Sequence, residues 1–405
     1  MLIVALLLAV AATSAAQSAV GAGPMTSSLS DTEPQSGVLS LGRLKVAPGV
    51  TIPEIGWEDN IFDEPDVANP KEDYVATFNP DIAAFTRLRF LQVSAFGGSE
   101  LSYYRTHRGE RYRGYAGRAR VDVLLSKLRP FAGAARTRTR TRPNGEIDTR
   151  ADRLEEELSG GLAYDISPHS AVFAATNKST IFFEDAINRG VNLAETMTRD
   201  YYNYSGGVKT DLTPLLALTL SGTYREDKFR IETIRNSISK DLSATFNIAT
   251  EAVFSGQVQV SYRDTHFSDP GLRPYRGVVG HGVIVYPFLE IGRFVLTAQR
   301  GVEYSFDIAE AYYLENAGSL SYTQRLVGKF DLQAKVARSV FDYSARATEP
   351  EHRDTLDTAL GNVGYNLPNR TRVSINYEYA RRRSPAFSVR NYQRRRVFLS
   401  WVLAL

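Results

Sequence analysis

The sequence predicts an all-β chain, a transmembrane antiparallel up-and-down β-barrel of about 18 strands with short periplasmic turns and longer extracellular loops. Three observations predict it. Apolar and polar residues alternate with period two, segment after segment, from Leu44 onward. Every second link between these segments is a tight turn, whereas nearly all the intervening links are longer and polar. The last segment places Val397, Leu399, Trp401, Leu403 and Leu405 on one face.

Composition narrows the class first. Lys plus Arg is 48 against 45 for Asp plus Glu, a net charge of +3 in 405 residues, which argues against a nucleic-acid coat. With no cysteine, a disulfide scaffold, a thiolate zinc site and a Cys nucleophile are excluded. The chain is rich in Tyr (22) and Phe (20), yet its mean hydropathy of −0.25 leaves no room for a helical membrane bundle.

The elements follow in order. Residues 2–12, LIVALLLAVAA, are too short to span a bilayer as a helix, which needs about 20 residues. They match the apolar core of a secretory signal, with Ser14 and Ala16 suiting a cleavage site, so residues 1–16 are expected to be a signal peptide. The usual basic residue before that core is missing; the first is Arg43. Residues 17–42 are Ser-, Gly- and Thr-rich and read as a disordered periplasmic lead-in, leaving 43–405 for the barrel.

Alternation then divides the chain into strands at 43–56, 74–86, 88–103, 112–126, 129–142, 152–165, 169–184, 199–210 and 214–227. The second half gives 237–249, 251–266, 275–287, 290–306, 311–325, 328–344, 354–367, 369–383 and 391–405. In 369–383, Val373, Ile375, Tyr377 and Tyr379 oppose Arg372, Ser374, Asn376 and Glu378. A soluble sandwich also alternates, so alternation alone does not decide. Tight turns on one side only, longer loops on the other and an even strand number favour the membrane barrel. Closure satisfies every backbone polar group without water. The apolar C-terminal strand resembles the signal read by the barrel-insertion machinery, although that signal usually ends in Phe rather than Leu405. The expected location is the outer membrane of a Gram-negative bacterium.

The segment VAPGVTIPEIGWEDNIF at 46–62 resembles the opening of the beta-barrel porin family found in exopolysaccharide gene clusters (the beta-barrel porin 2 type). The matching positions are Pro48, Trp57, Asp59, Asn60 and Phe62, with Trp57 where the family more often has Tyr. The segment YVATFNPDIAAF, containing Pro80, is similar to the family's second strand. The resemblance implies an outer-membrane channel for a secreted polysaccharide, acting with a periplasmic polysaccharide export protein. The alternative is a general diffusion porin for small solutes or sugars.

The residues themselves point to no catalysis. His107, His169, His266, His281 and His352 have no metal-ligand spacing, and neither a GxSxG motif nor a phosphate-binding glycine loop occurs. His281, within GHG, is the single candidate for an enzymatic role, and a lumen-facing histidine is the plainer reading. No cofactor and no nucleic-acid partner are expected. Arginine is more conspicuous. RTRTRTR at 136–142 places Arg136, Arg138, Arg140 and Arg142 on one face, expected to climb the lumen wall toward the outer mouth. The rest of the expected lumen lining is Gln257, Gln259, Arg263, Lys329, Asp331, Gln333, Lys335, Arg372, Asn376, Glu378, Arg394 and Arg396. Inward arginines would contact an anionic sugar polymer bidentately. Arg381, Arg383 and Arg395 are expected on the outer rim, facing outer-membrane lipid and the phosphates of lipopolysaccharide.

Overall fold

The computed structural model describes residues 39–289, 291–345, 352–368 and 371–404. The expected signal peptide and most of the lead-in lie outside these residues. Eighteen long strands close into one antiparallel barrel. The first nine are β1 (Leu44–Glu58), β2 (Asp73–Arg87), β3 (Leu91–Tyr104), β4 (Tyr112–Val123), β5 (Leu128–Thr141), β6 (Ala151–Ser167), β7 (Ser170–Phe183), β8 (Arg199–Thr213) and β9 (Leu216–Phe229). The remainder are β10 (Ser237–Ile248), β11 (Ser255–Phe267), β12 (Tyr275–Phe288), β13 (Gly292–Tyr304), β14 (Glu310–Arg325), β15 (Phe330–Ala345), β16 (His352–Asn366), β17 (Arg372–Arg383) and β18 (Tyr392–Ala404). Each pairs with its sequence neighbour, and β1 pairs with β18, from Gly49 opposite Ala404 to Glu58 opposite Arg396, to seal the cylinder. A three-residue strand, Leu39–Leu41, doubles back on β1 through a turn at Gly42, whose φ of 66° suits glycine.

Pairing register assigns the two faces. Leu242, Ile375, Val336 and Leu158 are 71, 62, 57 and 63 % exposed and share one face with Trp401 and Leu399. The other face carries Ser243, Ser261, Asn362, Asn376 and Ser374, buried and bonded to one another across strands, as in Ser243–Ser261 at 2.7 Å. A sandwich would bury the apolar set. Here the apolar set faces out and the polar set faces in, which suits a lipid solvent around a wet interior.

The chain ends and the tight turns share one rim, as at 326–329, where Gly328 takes φ 73°. The opposite rim carries the longer connections, of which 59–72, 142–150 and 184–198 are the longest described. Among the described residues no helix is long and apolar enough to cross a membrane. The one α-helix among the described residues, α1 (Leu193–Met197), is five residues long, lies in the β7–β8 loop and is capped by Asn192, whose side chain accepts from the Ala194 N–H at 3.1 Å.

Candidate functional site

The outer mouth is built from loops that fold inward instead of standing clear of the rim. The first is tied down by residues of the opening motif. The Asp59 carboxylate accepts the Arg395 N–H of β18 at 2.7 Å, and the Asn60 amide donates to the carbonyls of Glu64 and Gln393 at 2.8 and 3.0 Å. The Trp57 indole N–H donates to Glu72 at 3.0 Å, and Phe62 packs edge-on against His107. Pro48 lies lower on β1, opposite Ile82. These contacts bury Ile61 and aim Asp63 into the barrel, with Asp63 itself at φ 52°. There the Asp63 carboxylate sits between Arg142 (2.7 Å) and Arg394 (2.9 Å).

The second loop, 142–150, reaches farther. An 18-strand barrel with strands tilted about 40° is roughly 35 Å across. Four or five extended residues reach about 15 Å from the wall, so this loop's tip arrives near the axis. Its tip carbonyls, Gly145 and Glu146, accept from Arg382 of β17 at 3.0 and 2.9 Å. The Glu146 carboxylate accepts from the Ser305 hydroxyl at 2.7 Å and the Phe306 N–H at 3.1 Å, both in the β13–β14 loop. β5 and β13 stand eight strands apart around the eighteen, so the two loops meet almost across the diameter.

An apolar core holds this meeting point. Ile147, Leu193 and Met197 of α1, and Phe306 pack with Ile181 and Phe183 of β7, all buried. Arg235, in the β9–β10 loop, donates to the carbonyls of Thr196 and Ser305 and is wholly buried. Arg382 also pairs with Asp354 of β16 at 2.7 Å, with neither side chain exposed. Burial governs the electrostatics: it pushes Glu146 up to about 7, only partly offset by its hydrogen bonds and by Arg390 and Arg382, and it pulls Arg235 down to about 10.

The expected site residues divide between the two faces. The register turns Gln257, Gln259, Arg263, Asp331, Gln333, Lys335, Arg372, Asn376, Glu378, Arg394 and Arg396 inward. Several pair there: Arg263 with Asp241 (2.7 Å), Arg372 with Asp331 (2.5 Å), and Arg394 and Arg396 with Glu378 (3.3 and 3.5 Å). Arg142 faces inward only because the chain has left β5 and turned over the rim. Arg136, Arg138 and Arg140 do not line the lumen. They share the outward register with Tyr115, Leu154 and Leu158, and their threonine neighbours take the inward positions. Glu156, Asp152 and Glu184 pair with this outward ladder. The reason is the phase set by the apolar outward residues Leu128 and Pro130 lower on β5, which puts even-numbered residues outside. Lys329 is likewise corrected: it belongs to an exposed periplasmic turn. Arg381, Arg383 and Arg395 lie on the outward face with Ile375 and Val397. His281 points inward between Gln259 and Gln299 of the adjacent strands.

Asp63, Glu146, Asp354 and Ser305 were not foreseen as site residues. Their signal was present as apolar residues inside polar loops: Ile61, Ile147, Met197 and Phe306 have no reason to sit in a loop that faces water. Among the described residues, no group of three or more His, Asp or Glu is arranged to hold a metal ion.

A family model described as "Putative beta-barrel porin 2" matches residues 39–405. No curated protein matches the chain. Solved structures with a similar fold include the outer membrane protein OpdK from Pseudomonas aeruginosa, at TM-score 0.50 and 10 % identity over 89 % of this chain and 99 % of that one. A BenF-like porin from Pseudomonas fluorescens Pf-5 gives 0.50 and 12 % over 89 % and 99 %. Acinetobacter baumannii OccAB4 gives 0.50 and 10 % over 90 % and 99 %.

Proposed function

This chain belongs to the beta-barrel porin 2 family, an outer-membrane porin of a Gram-negative bacterium, and from that premise we propose that it is a restricted diffusion channel for small hydrophilic solutes. The observation that carries this reading is the mouth. Loop 142–150 is fastened to β17 and to the β13–β14 loop, and the buried Arg382–Asp354 pair anchors it. A polymer in continuous transit would have to hold several such contacts open at once. A small solute needs only a gap beside them, or a brief opening.

Below the mouth the wall suits the same task. Its serines, glutamines and asparagines supply repeated weak hydrogen bonds, and inward Arg263 and Arg372 are neutralised by their carboxylates. Such a lining passes a hydrated solute without a deep binding minimum. Polysaccharide export with a periplasmic partner, which the opening motif suggested, has less support. In this fold Asp59 and Asn60 secure a loop in the mouth rather than clearing it.

Proteoliposome swelling with sugars of increasing size tests the proposal. Monosaccharides and disaccharides are expected to enter, with a sharp fall for larger oligosaccharides. No swelling with any small sugar, together with periplasmic accumulation of polymer in a deletion strain, would reverse the reading in favour of export.

A further inference from the structure

The outward face of β15–β18 carries a block of arginines that conduction does not use. On β15, β17 and β18 the first outward arginine comes at the same height, and on β16 that height is taken by Asp357. On β15 the outward residues from Phe330 to Val336 precede Arg338; on β17 Val373 to Tyr379 precede Arg381 and Arg383; on β18 Leu403 to Val397 precede Arg395. In each case the first arginine stands eight residues above the first apolar residue. At about 3.3 Å per residue and a tilt near 40°, that is roughly 20 Å, against an apolar band of about 25 Å. The long arginine side chains therefore emerge at the outer interface, above the aromatic girdle formed there by Tyr377 and Tyr379.

Register places Arg338, Asp357 and Arg381 side by side across three strands. Asp357 is held by Arg338 at 2.5 and 3.0 Å, and Asp342 by Arg353 at 2.5 Å. Asp59, just past the end of the neighbouring β1, is engaged by the Arg395 backbone. Arg381 and Arg383 lie in the field of Asp357 without closing a direct ion pair to it, and Arg395 makes no ion pair with any described residue, so all three guanidinium groups keep their donors for the headgroup layer. The RTRTRTR ladder on β5 differs, because its arginines are met by Glu156, Asp152, Glu184 and Glu110.

We propose that the β15–β18 face binds the phosphorylated headgroup of outer-leaflet lipopolysaccharide, with Arg381, Arg383 and Arg395 supplying the donors and the Arg338–Asp357 pair fixing their spacing. Guanidinium suits this role because its planar donor fork takes phosphate oxygens bidentately. The lipid would clamp the wall beside the barrel seam, independently of what passes through the lumen.

Native mass spectrometry of the detergent-purified full chain, titrated with bisphosphoryl lipid A, dephosphorylated lipid A and phosphatidylglycerol, tests it. The wild type should retain bisphosphoryl lipid A selectively. The triple variant Arg381→Gln, Arg383→Gln, Arg395→Gln should bind it about a hundredfold more weakly. The matched variant Arg136→Gln, Arg138→Gln, Arg140→Gln should bind nearly as the wild type does. Heat-dependent gel mobility confirms that each variant folds; if the triple variant does not, Arg383→Gln and Arg395→Gln are read singly, each with a several-fold loss. Unchanged lipid A binding in the β17–β18 variants, or equal retention of the dephosphorylated lipid or of phosphatidylglycerol, would overturn the assignment.

Discussion

Glu146 is held by two donors from the β13–β14 loop in a seat that favours its protonated form. Burial raises its carboxyl from 4.5 to about 7, so the seated side chain binds a proton more tightly than the freed one does. The closed arrangement is then most stable below about pH 4.5, weakens as pH rises toward 7, and stays at the weaker level above that. The full span amounts to on the order of 3 kcal/mol. Bilayer recordings should show longer closed times at pH 5 than at pH 8. Glu146→Gln, which keeps the acceptor and removes the titration, should flatten that dependence. A pH profile unchanged by the substitution would assign the effect to another group. At this scale the sequence was only partly legible. Alternation read from Val373, Ile375, Tyr377 and Tyr379 puts Arg382 inward between two outward arginines. Nothing local, however, says that its guanidinium meets a loop from the far side of the barrel.

Among the elements, the β1–β18 seam bears the closure. Gly56 lies in it, and a Cβ there would fall 2.1 Å from the Val397 carbonyl oxygen and 2.4 Å from the Phe398 Cβ. Backbone on the partner strand cannot yield as a flexible side chain can. Gly56→Ala is therefore expected to force the seam apart and sharply lower the yield of heat-resistant, fast-migrating barrel on gels. Wild-type yield and mobility would show that the seam tolerates a register adjustment. The strands themselves were readable, since eighteen alternating segments correspond to eighteen barrel strands with ends shifted by only a few residues. The facing of β5 was not. Alternating Arg and Thr has no apolar member, so its phase comes from Leu128 and Pro130 lower on the strand, and a lumen position for the arginines misses that constraint.

Viewed as a whole, the molecule is a greased cylinder with a charged belt at the outer interface and a folded lid of loops inside its mouth. Outward charges begin about eight to ten residues above the periplasmic edge on β5, β6, β9, β15, β17 and β18, which fits one membrane boundary running round the barrel. Barrel class and loop asymmetry were legible because lipid outside and water inside impose a period-two code over the full chain. The lid was not, because it depends on contacts such as Glu146–Ser305 and Asp63–Arg394, between residues 159 and 331 positions apart. Single-channel conductance of the wild type beside a variant with 143–149 replaced by a short Gly-Ser link tests that lid most directly. A several-fold larger, less pH-sensitive conductance in the shortened variant is predicted. Equal conductance in the two proteins would contradict the claim that the inward-folded loops restrict the channel.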